Sequence, residues 1–367
     1  MNGRFKHLAQ RGASKTEAKN RLKEAAAKLA KEAAGRQINE NTRIELLALH
    51  YLAEIKRKVD DGTRSFTTYD IYRGTVNNEV VPRLGALAGH ELDVFTAYQA
   101  IMDVDREVGR ASAKKFRTVL SGICKFGVLH GAMEINPIRQ LDDMFERSKD
   151  AEPVRALEPA QRKDFLTKFD GYCDKKAANK VAGVRALVWQ HLKDITLGQL
   201  GTGVRIGEVT ALLGPDIDIE RRTVHFGYHL VRVAGKGIVR MPGRKGGEPP
   251  LTLVMPSWSV PMWTRVKEAA GEGIVFPAWS GGWLDPSNLT KRIRSACDAI
   301  GYEWMSSRML RHTVGTHLTD NGHTSNEAGD QLGNTAEVVD KHYRRRQVAN
   351  RKIAHTLESM FPEAEAS

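Results

Sequence analysis

The sequence predicts a mainly α protein with a small β-sheet, an α+β chain in two domains, and three observations carry that prediction. Apolar residues recur at helical spacing over most of the length, as in Ile44, Leu47, Ala48, Tyr51, Leu52 and Ile55. From residue 223 to residue 255 the pattern changes to short strand-like runs, Thr223–Phe226, Leu230–Val233 and Leu251–Met255. Gly235, Gly237, Gly243, Gly246 and Gly247 punctuate them as turns. Between the two regions lies a polar run, residues 139–155, with Gln140, Asp142, Asp143, Glu146, Ser148, Lys149, Asp150, Glu152 and Pro153, which reads as a linker.

The elements follow in order. Residues 1–38 form a basic segment: up to Arg36 it holds ten Lys/Arg against three Glu. Ser14 is a candidate helix cap with Glu17 three residues on. The stripe that follows (Ala18, Leu22, Ala25, Leu29) is too thin to bury much core, so this helix is either solvated or a nucleic-acid-contacting arm through Lys15, Lys19 and Lys23. Residues 39–138 read as a helical domain. Its second helix starts at Phe66-Thr67-Thr68-Tyr69 with a threonine cap. Val81-Pro82-Arg83-Leu84-Gly85 is expected to break it, because proline disfavours helical geometry in the residue before it. Phe95–Val108 and Ser112–Gly131 are two further helices. The latter sets Lys114, Lys115, Arg117 and Lys125 opposite Phe116, Leu120, Ile123 and Phe126, a basic face that is either solvated surface or a DNA contact. Asn136-Pro137 closes this domain. The second domain, residues 156–367 with a C-terminal tail, is mixed. Helical patterns cover Pro159–Asp174, Val184–Gly201 and Glu208–Leu213, and return after the strands over Pro286–Ile300, Ser307–Asn321, Ser325–Leu332 and Glu337–Tyr343.

Composition narrows the partner. Lys+Arg of 56 against Asp+Glu of 44 gives +12, the balance of a protein that meets polyanions. Cys124, Cys173 and Cys297 are odd in number and far apart, which fits neither a disulfide framework nor a zinc site and points to a reducing, cytoplasmic setting. His225 and His229 share a strand-like stretch without a further ligand nearby, so no metal is expected there. No secretory signal or long apolar run appears, and no membrane association is expected.

The chemistry concentrates in three fragments: Gly201-Thr202-Gly203-Val204-Arg205-Ile206-Gly207-Glu208, Leu310-Arg311-His312-Thr313, and Tyr343. Two guanidinium forks can clamp the non-bridging oxygens of a phosphodiester as charge grows in its pentacoordinate transition state. A tyrosine hydroxyl can attack phosphorus and hold the broken strand covalently. This combination points to DNA strand transfer.

In this order and spacing the chain resembles the tyrosine recombinase, or phage integrase, family. The resemblance rests on Asp194 through Glu208 and on to Asp216-Ile217-Asp218, on Leu310 through Leu318, and on Gln331-Leu332-Gly333-Asn334 followed nine residues later by Tyr343. Tyr69, Pro82-Arg83-Leu84-Gly85 and Asn136-Pro137 fall where the family's core-site DNA-binding domain has similar features. The resemblance implies that Arg205 and Arg311 bind the scissile phosphate and that Tyr343 is the nucleophile. It also implies a lysine on a β-hairpin as general acid toward the leaving 5′ oxygen. Lys245 is the first choice for that role, with Lys236 as its rival and otherwise a DNA contact. Glu208 orients structure. Double-stranded DNA at attachment or crossover sites, a homo-tetramer on DNA, and a DNA-bending host factor or directionality factor are the implied partners. No nucleotide or metal cofactor is implied, because the bond energy is kept in a 3′-phosphotyrosine.

Two positions depart from the family pattern: Arg308 stands where a histidine is usual, and Asn334 where a histidine or tryptophan is usual. Arginine cannot accept a proton at neutral pH but can donate to a phosphate. Asn334 can donate through its amide. Both are therefore kept among the candidate catalytic residues. His312 follows Arg311 on the same helix about 100° away and reads as structural. Thr68 is kept as a DNA contact, and Arg344-Arg345-Arg346 reads either as a grip on the cleaved strand or as a charged helix end. The stripe Ile353, Leu357, Met360 and Phe361 either docks on a neighbouring protomer or packs on its own chain. The basic start suggests a mobile-element integrase with a curtailed arm-site-binding module, since only Gly3–Gln10 has room for a strand. The alternative is a DNA-binding relative with weakened chemistry, acting as a regulator or architectural protein.

Overall fold

The computed structural model describes residues 38–344 apart from 142–143, 146–154, 179–185, 234 and 245, together with residues 16, 17, 19, 23 and 24. The chain divides into two compact units, residues 1–151 and 152–367.

The first unit is helical. Helix α1 (Ile44–Asp60) buries Ile44, Leu47, Ala48, Leu52 and Ile55, the stripe that its periodicity marks. Helix α2 (Phe66–Thr75) is capped by Ser65, whose hydroxyl accepts from the Thr68 amide, so the cap is a serine and not the expected threonine. The expected break at Pro82 does not occur. A π-turn over Val76–Val80 passes into α3 (Val81–Leu84), and Pro82 sits in the first turn of α3, where a missing N–H costs little. Helix α4 (Val94–Glu107) starts at Asp93, which accepts from the Thr96 amide. Helix α5 (Arg110–Leu129) is the central element of this unit, with Phe116, Val119, Leu120 and Ile123 fully buried. Its Lys114, Lys115 and Lys125 are exposed and Arg117 is half-buried.

The second unit starts with α6 (Pro159–Ala177) and α7 (Ala186–Thr202). Helix α8 is a single turn (Ile206–Val209), shorter than the helical run expected to Leu213, because Leu213 is extended and bridges to Ile274 before the chain turns at Gly214–Asp216 into strand β1 (Ile217–Asp218). Strand β2 (Thr223–Phe226) pairs with β1 on one side and with β5 (Leu251–Val254) on the other, all antiparallel. Between β2 and β5 the chain makes an excursion, a second sheet of β3 (Tyr228–Val233) and β4 (Gly237–Pro242). Strand β4 falls in the stretch expected to be turns. The foot of this hairpin is closed by the Gly243 amide donating to the Gly227 carbonyl at 2.8 Å. His225 and His229 therefore lie on different strands, one bonded to the Thr252 hydroxyl and the other to the Gly243 carbonyl. No metal-holding group of side chains exists among the described residues. Helix α9 (Val260–Ala270), which the sequence reading passed over, buries Trp263. Helices α10 (Pro286–Ala299), α11 (Ser307–Asp320), α12 (Ser325–Leu332) and α13 (Ala336–His342) complete the unit. Ala328, Leu332, Val339 and Tyr343 form a small apolar cluster of their own, backed by Val314 and Leu318.

Among the described residues no helix is long and apolar enough to cross a membrane. Thr16, Glu17, Lys19, Lys23 and Glu24 are helical, with Lys19 and Lys23 exposed. Lys15, the Gly3–Gln10 segment, Arg345, Arg346 and the Ile353–Phe361 stripe lie outside the described residues.

Candidate active site

Residues far apart in sequence meet where α8, α11 and the end of α13 converge. Arg205 is the residue at which α7's trailing turn becomes α8. Its backbone is extended, and Glu208, at the third helical position, reaches back to accept its amide at 3.0 Å. The same carboxylate takes Arg205 Nη1 at 3.0 Å. Burial alone would raise the Glu208 carboxyl. The Arg244 charge, with the amide and guanidinium of Arg205, outweighs burial and holds it below the usual carboxylate range.

Arg311 projects from the first turns of α11 and is buried. Its Nη1 donates to the Gly203 carbonyl at 2.9 Å, and its Nε donates to the Tyr343 hydroxyl at 3.3 Å. Its Nη2 is buried with no hydrogen-bond partner among the described residues. Desolvation lowers its affinity for the proton relative to an ordinary guanidinium. A buried donor left open beside a tyrosine oxygen suits an incoming anion, since an unmade buried hydrogen bond is costly.

Tyr343 ends α13. Its backbone carbonyl accepts from Thr316 and Thr319 of α11, at 3.5 and 3.4 Å. Asn334, just past the end of α12, donates from Nδ2 to the Tyr343 hydroxyl at 3.3 Å and offers Oδ1 to Arg205 Nη2 at 3.4 Å. Arg205, Arg311, Asn334 and Tyr343 thus form one hydrogen-bonded cluster, across separations of up to 129 residues. An added Cβ at Gly315 would lie 2.6 Å from Tyr343 Cδ1, so only glycine lets the ring lie against α11.

The remaining candidates lie elsewhere. Arg308 is exposed, one turn before Arg311, and among the described residues no hydrogen bond joins it to the cluster. Lys236 is exposed at the tip of the β3–β4 hairpin. Lys245 lies outside the described residues. Arg344 is exposed, with Asp340 at 3.5 Å. Thr68, Lys114, Lys115 and Arg117 belong to the helical unit, where Thr68 is half-buried.

Two residues were missed by sequence reasoning. Glu248 makes a two-pronged ion pair with Arg205, Nη1 to Oε2 at 2.8 Å and Nη2 to Oε1 at 3.1 Å. Arg244 is a buried arginine whose Nη2 donates to the Leu332 carbonyl at 3.0 Å and whose Nε lies 3.4 Å from Glu208. An arginine beside Lys245 in a glycine-flanked run was a visible hint of the second. A lone glutamate before two prolines reads as a solvated turn and gives no hint of the first.

His312 was expected to be structural, and its ring packs on the Tyr343 ring at 4.7 Å between centroids, touching the ring and not the hydroxyl. Burial, with the charges of Arg308, His342 and Arg311, pushes it down to about 4 from 6.5. Because the folded value lies below the unfolded one, the unfolded chain takes up the proton first as pH falls. The stability this neutral histidine confers is therefore complete above pH 6.5 and is lost toward pH 4. The loss should be about 3 kcal/mol. Chemical denaturation across this range should show it, and His312→Gln should flatten the profile; an unchanged slope would exclude His312 as its source.

With this geometry in place, comparison with known proteins shows what the chain is similar to. Residues 188–349 match the phage integrase family. The tyrosine recombinase XerC of Corynebacterium efficiens is 26% identical over 165 residues, 44% of this chain and 48% of the relative. A XerC-like tyrosine recombinase of Caldanaerobacter subterraneus is 26% identical over 174 residues, 41% of this chain and 44% of the relative. The match thus spans about half the length of these curated relatives. Among solved structures, the Tn1549 transposon integrase in complex with a circular intermediate DNA superposes with a TM-score of 0.68 at 17% identity, covering 87% of this chain and 99% of that one. A lambda integrase tetramer bound to a Holliday junction gives 0.56 at 16% identity, covering 93% and 91%. These likenesses establish a shared fold. Residues 188–349 thus carry a phage integrase segment, and the chain is similar to tyrosine recombinases over a comparable length.

Proposed function

We propose that the protein is a site-specific DNA recombinase of the integrase type, which cuts and rejoins DNA strands for integration or excision of a mobile element. The observation that carries this reading is the single cluster of two guanidinium groups and a tyrosine hydroxyl, with Arg311 Nε 3.3 Å from the oxygen that would attack. In this reading Arg311 and Arg205 hold the scissile phosphate, and their fixed charge offsets the charge that builds on its oxygens. The Tyr343 oxygen gives up its proton to water as it attacks phosphorus, the 5′ oxygen of the broken strand leaves and takes a proton from Lys245 as general acid, and a 3′-phosphotyrosine remains. Attack by the 5′ hydroxyl of a partner strand reverses the step. Asn334 and Arg311 both donate to the phenol oxygen and orient it. The helical unit grips the duplex, and the likeness to a lambda integrase tetramer on a Holliday junction supports assembly as a tetramer on two duplexes.

The test is covalent trapping on a nicked duplex recovered by binding selection. An SDS-resistant adduct whose DNA-linked peptide maps to Tyr343 supports the reading. Tight, salt-sensitive binding without an adduct would instead make the chain a DNA-binding relative, with Arg308 in the usual histidine position as the prime suspect.

Two further outcomes are expected. Gly315→Ala drives a methyl group into the Tyr343 ring and should slow adduct formation roughly tenfold to a hundredfold without weakening DNA binding, because small misplacements of a reacting group are costly. Single-turnover trapping beside a filter-binding titration separates the two effects. Lys114→Ala with Lys115→Ala should reduce the slope of log K against log salt by about 0.9 per lost phosphate contact, about 1.8 for the pair. An unchanged slope would mark that face of α5 as plain solvated surface.

A further inference from the structure

We infer that Glu248 is a place-holder for the scissile phosphate: it occupies the Arg205 fork when no DNA is present and must leave when DNA binds. The inference rests on the recombinase reading of the site and adds a regulatory residue to it. Every terminal N–H of Arg205 faces an acceptor. Nη1 is shared between Glu208 at 3.0 Å and Glu248 at 2.8 Å, and Nη2 between Glu248 at 3.1 Å and Asn334 at 3.4 Å. A phosphodiester presents two oxygens to a guanidinium with the same planar, two-pronged match that a carboxylate offers. The two anions cannot share one fork, since like charges a few ångströms apart in a partly buried site repel strongly. Across the cluster, Arg311 Nη2 is buried with its hydrogen-bond capacity unused among the described residues. One arginine is thus open and the other is capped.

The two carboxylates on Arg205 differ in how readily they could leave. The Glu208 side chain is fully buried, 0% exposed, and is held by both Arg205 and Arg244; that of Glu248 is 30% exposed. Glu248 belongs to a tight turn in which the Arg244 amide donates to the Glu248 carbonyl and the Gly247 amide to the Arg244 carbonyl, both at 3.1 Å. Gly246 and Gly247 in that turn have φ of 94° and 80°, so the turn can re-form in conformations closed to other residues. Departure of Glu248 does not strand Arg244, which keeps Glu208 and the Leu332 carbonyl. A half-buried, hinged carboxylate on a phosphate-binding arginine keeps stray anions off the site, and yields to a phosphate held in place by the rest of a bound duplex.

The experiment compares the full chain with Glu248→Gln, which keeps the shape and removes the charge. Covalent trapping on the nicked duplex should proceed faster in the variant, on the order of tenfold if one charge-assisted pair is the obstacle. Independently of DNA, isothermal titration with inorganic phosphate should show binding to Glu248→Gln at concentrations where the wild type binds none. Glu248→Asp keeps a charge near Arg244 but draws it back from Arg205, and should give an intermediate gain, so the inference stays testable if the glutamine variant folds poorly. A folded Glu248→Gln that traps more slowly and gains no phosphate binding overturns the inference and makes Glu248 a positioning residue for Arg205. If the wild type forms no Tyr343 adduct and the variant still gains phosphate binding, the place-holder stands and the recombinase reading falls.

Discussion

Replacing Tyr343 by phenylalanine should abolish the covalent protein–DNA adduct of the proposed reaction while leaving the fold and DNA affinity intact. The reason is the division of labour at this residue. The ring is buried against Val339, Leu332 and Ala328, and the backbone carbonyl is tied to Thr316 and Thr319, so its structural contacts survive in phenylalanine. The lost oxygen makes two contacts of 3.3 Å, to Arg311 and Asn334, long enough that their removal should cost about 1 kcal/mol or less. In the proposed reaction the chemical loss should be total, because no other hydroxyl belongs to the cluster. The measurement is trapping on the nicked duplex beside a thermal melt and a binding isotherm. An adduct that persists in the variant would move the nucleophile to another residue.

Arg311→Lys should have the next largest effect. The guanidinium uses Nη1 on the Gly203 carbonyl and Nε on the Tyr343 oxygen, and its Nη2 has no partner among the described residues, which in the proposed reaction leaves it for the phosphate. Lysine keeps the charge, but its three donors radiate from one nitrogen and cannot reach the separate positions that the planar guanidinium fork spans. Loss of one preorganised donor to a charge-building oxygen should lower the single-turnover rate roughly 10²–10³-fold. Affinity for the duplex should change little, since most of it comes from phosphate contacts elsewhere. The freed Gly203 carbonyl should reduce stability by about 1–2 kcal/mol. A fall in stability with an unchanged rate would make Arg311 a structural tie between α11 and the Gly203 turn.

Local patterns were legible wherever one residue's neighbours in sequence are also its neighbours in space. The apolar stripe of α1 and the buried face of α5 follow directly from helical spacing, and β2 and β5 from alternating short runs. The errors are also local rules, overridden by tertiary context. Pro82 stays helical because the π-turn before it absorbs the geometric conflict, and β4 forms despite flanking glycines because β3 offers a full ladder of partners. The fragments around Arg205, Arg311, Asn334 and Tyr343 stood out by residue type and order, and the structure draws them into one hydrogen-bonded cluster.

By itself the sequence determined the fold class and the resemblance to the phage integrase family, because periodicity and motif order are properties of the chain read in line. Only the tertiary structure decided the electrostatic state of the site. Glu248 meets Arg205 across 43 residues, Arg244 meets Leu332 across 88, and His312 and Tyr343 pack ring on ring from two different helices. Charges and rings interact through space and not along the chain, and the packing that brings them together also removes the water that would otherwise screen them.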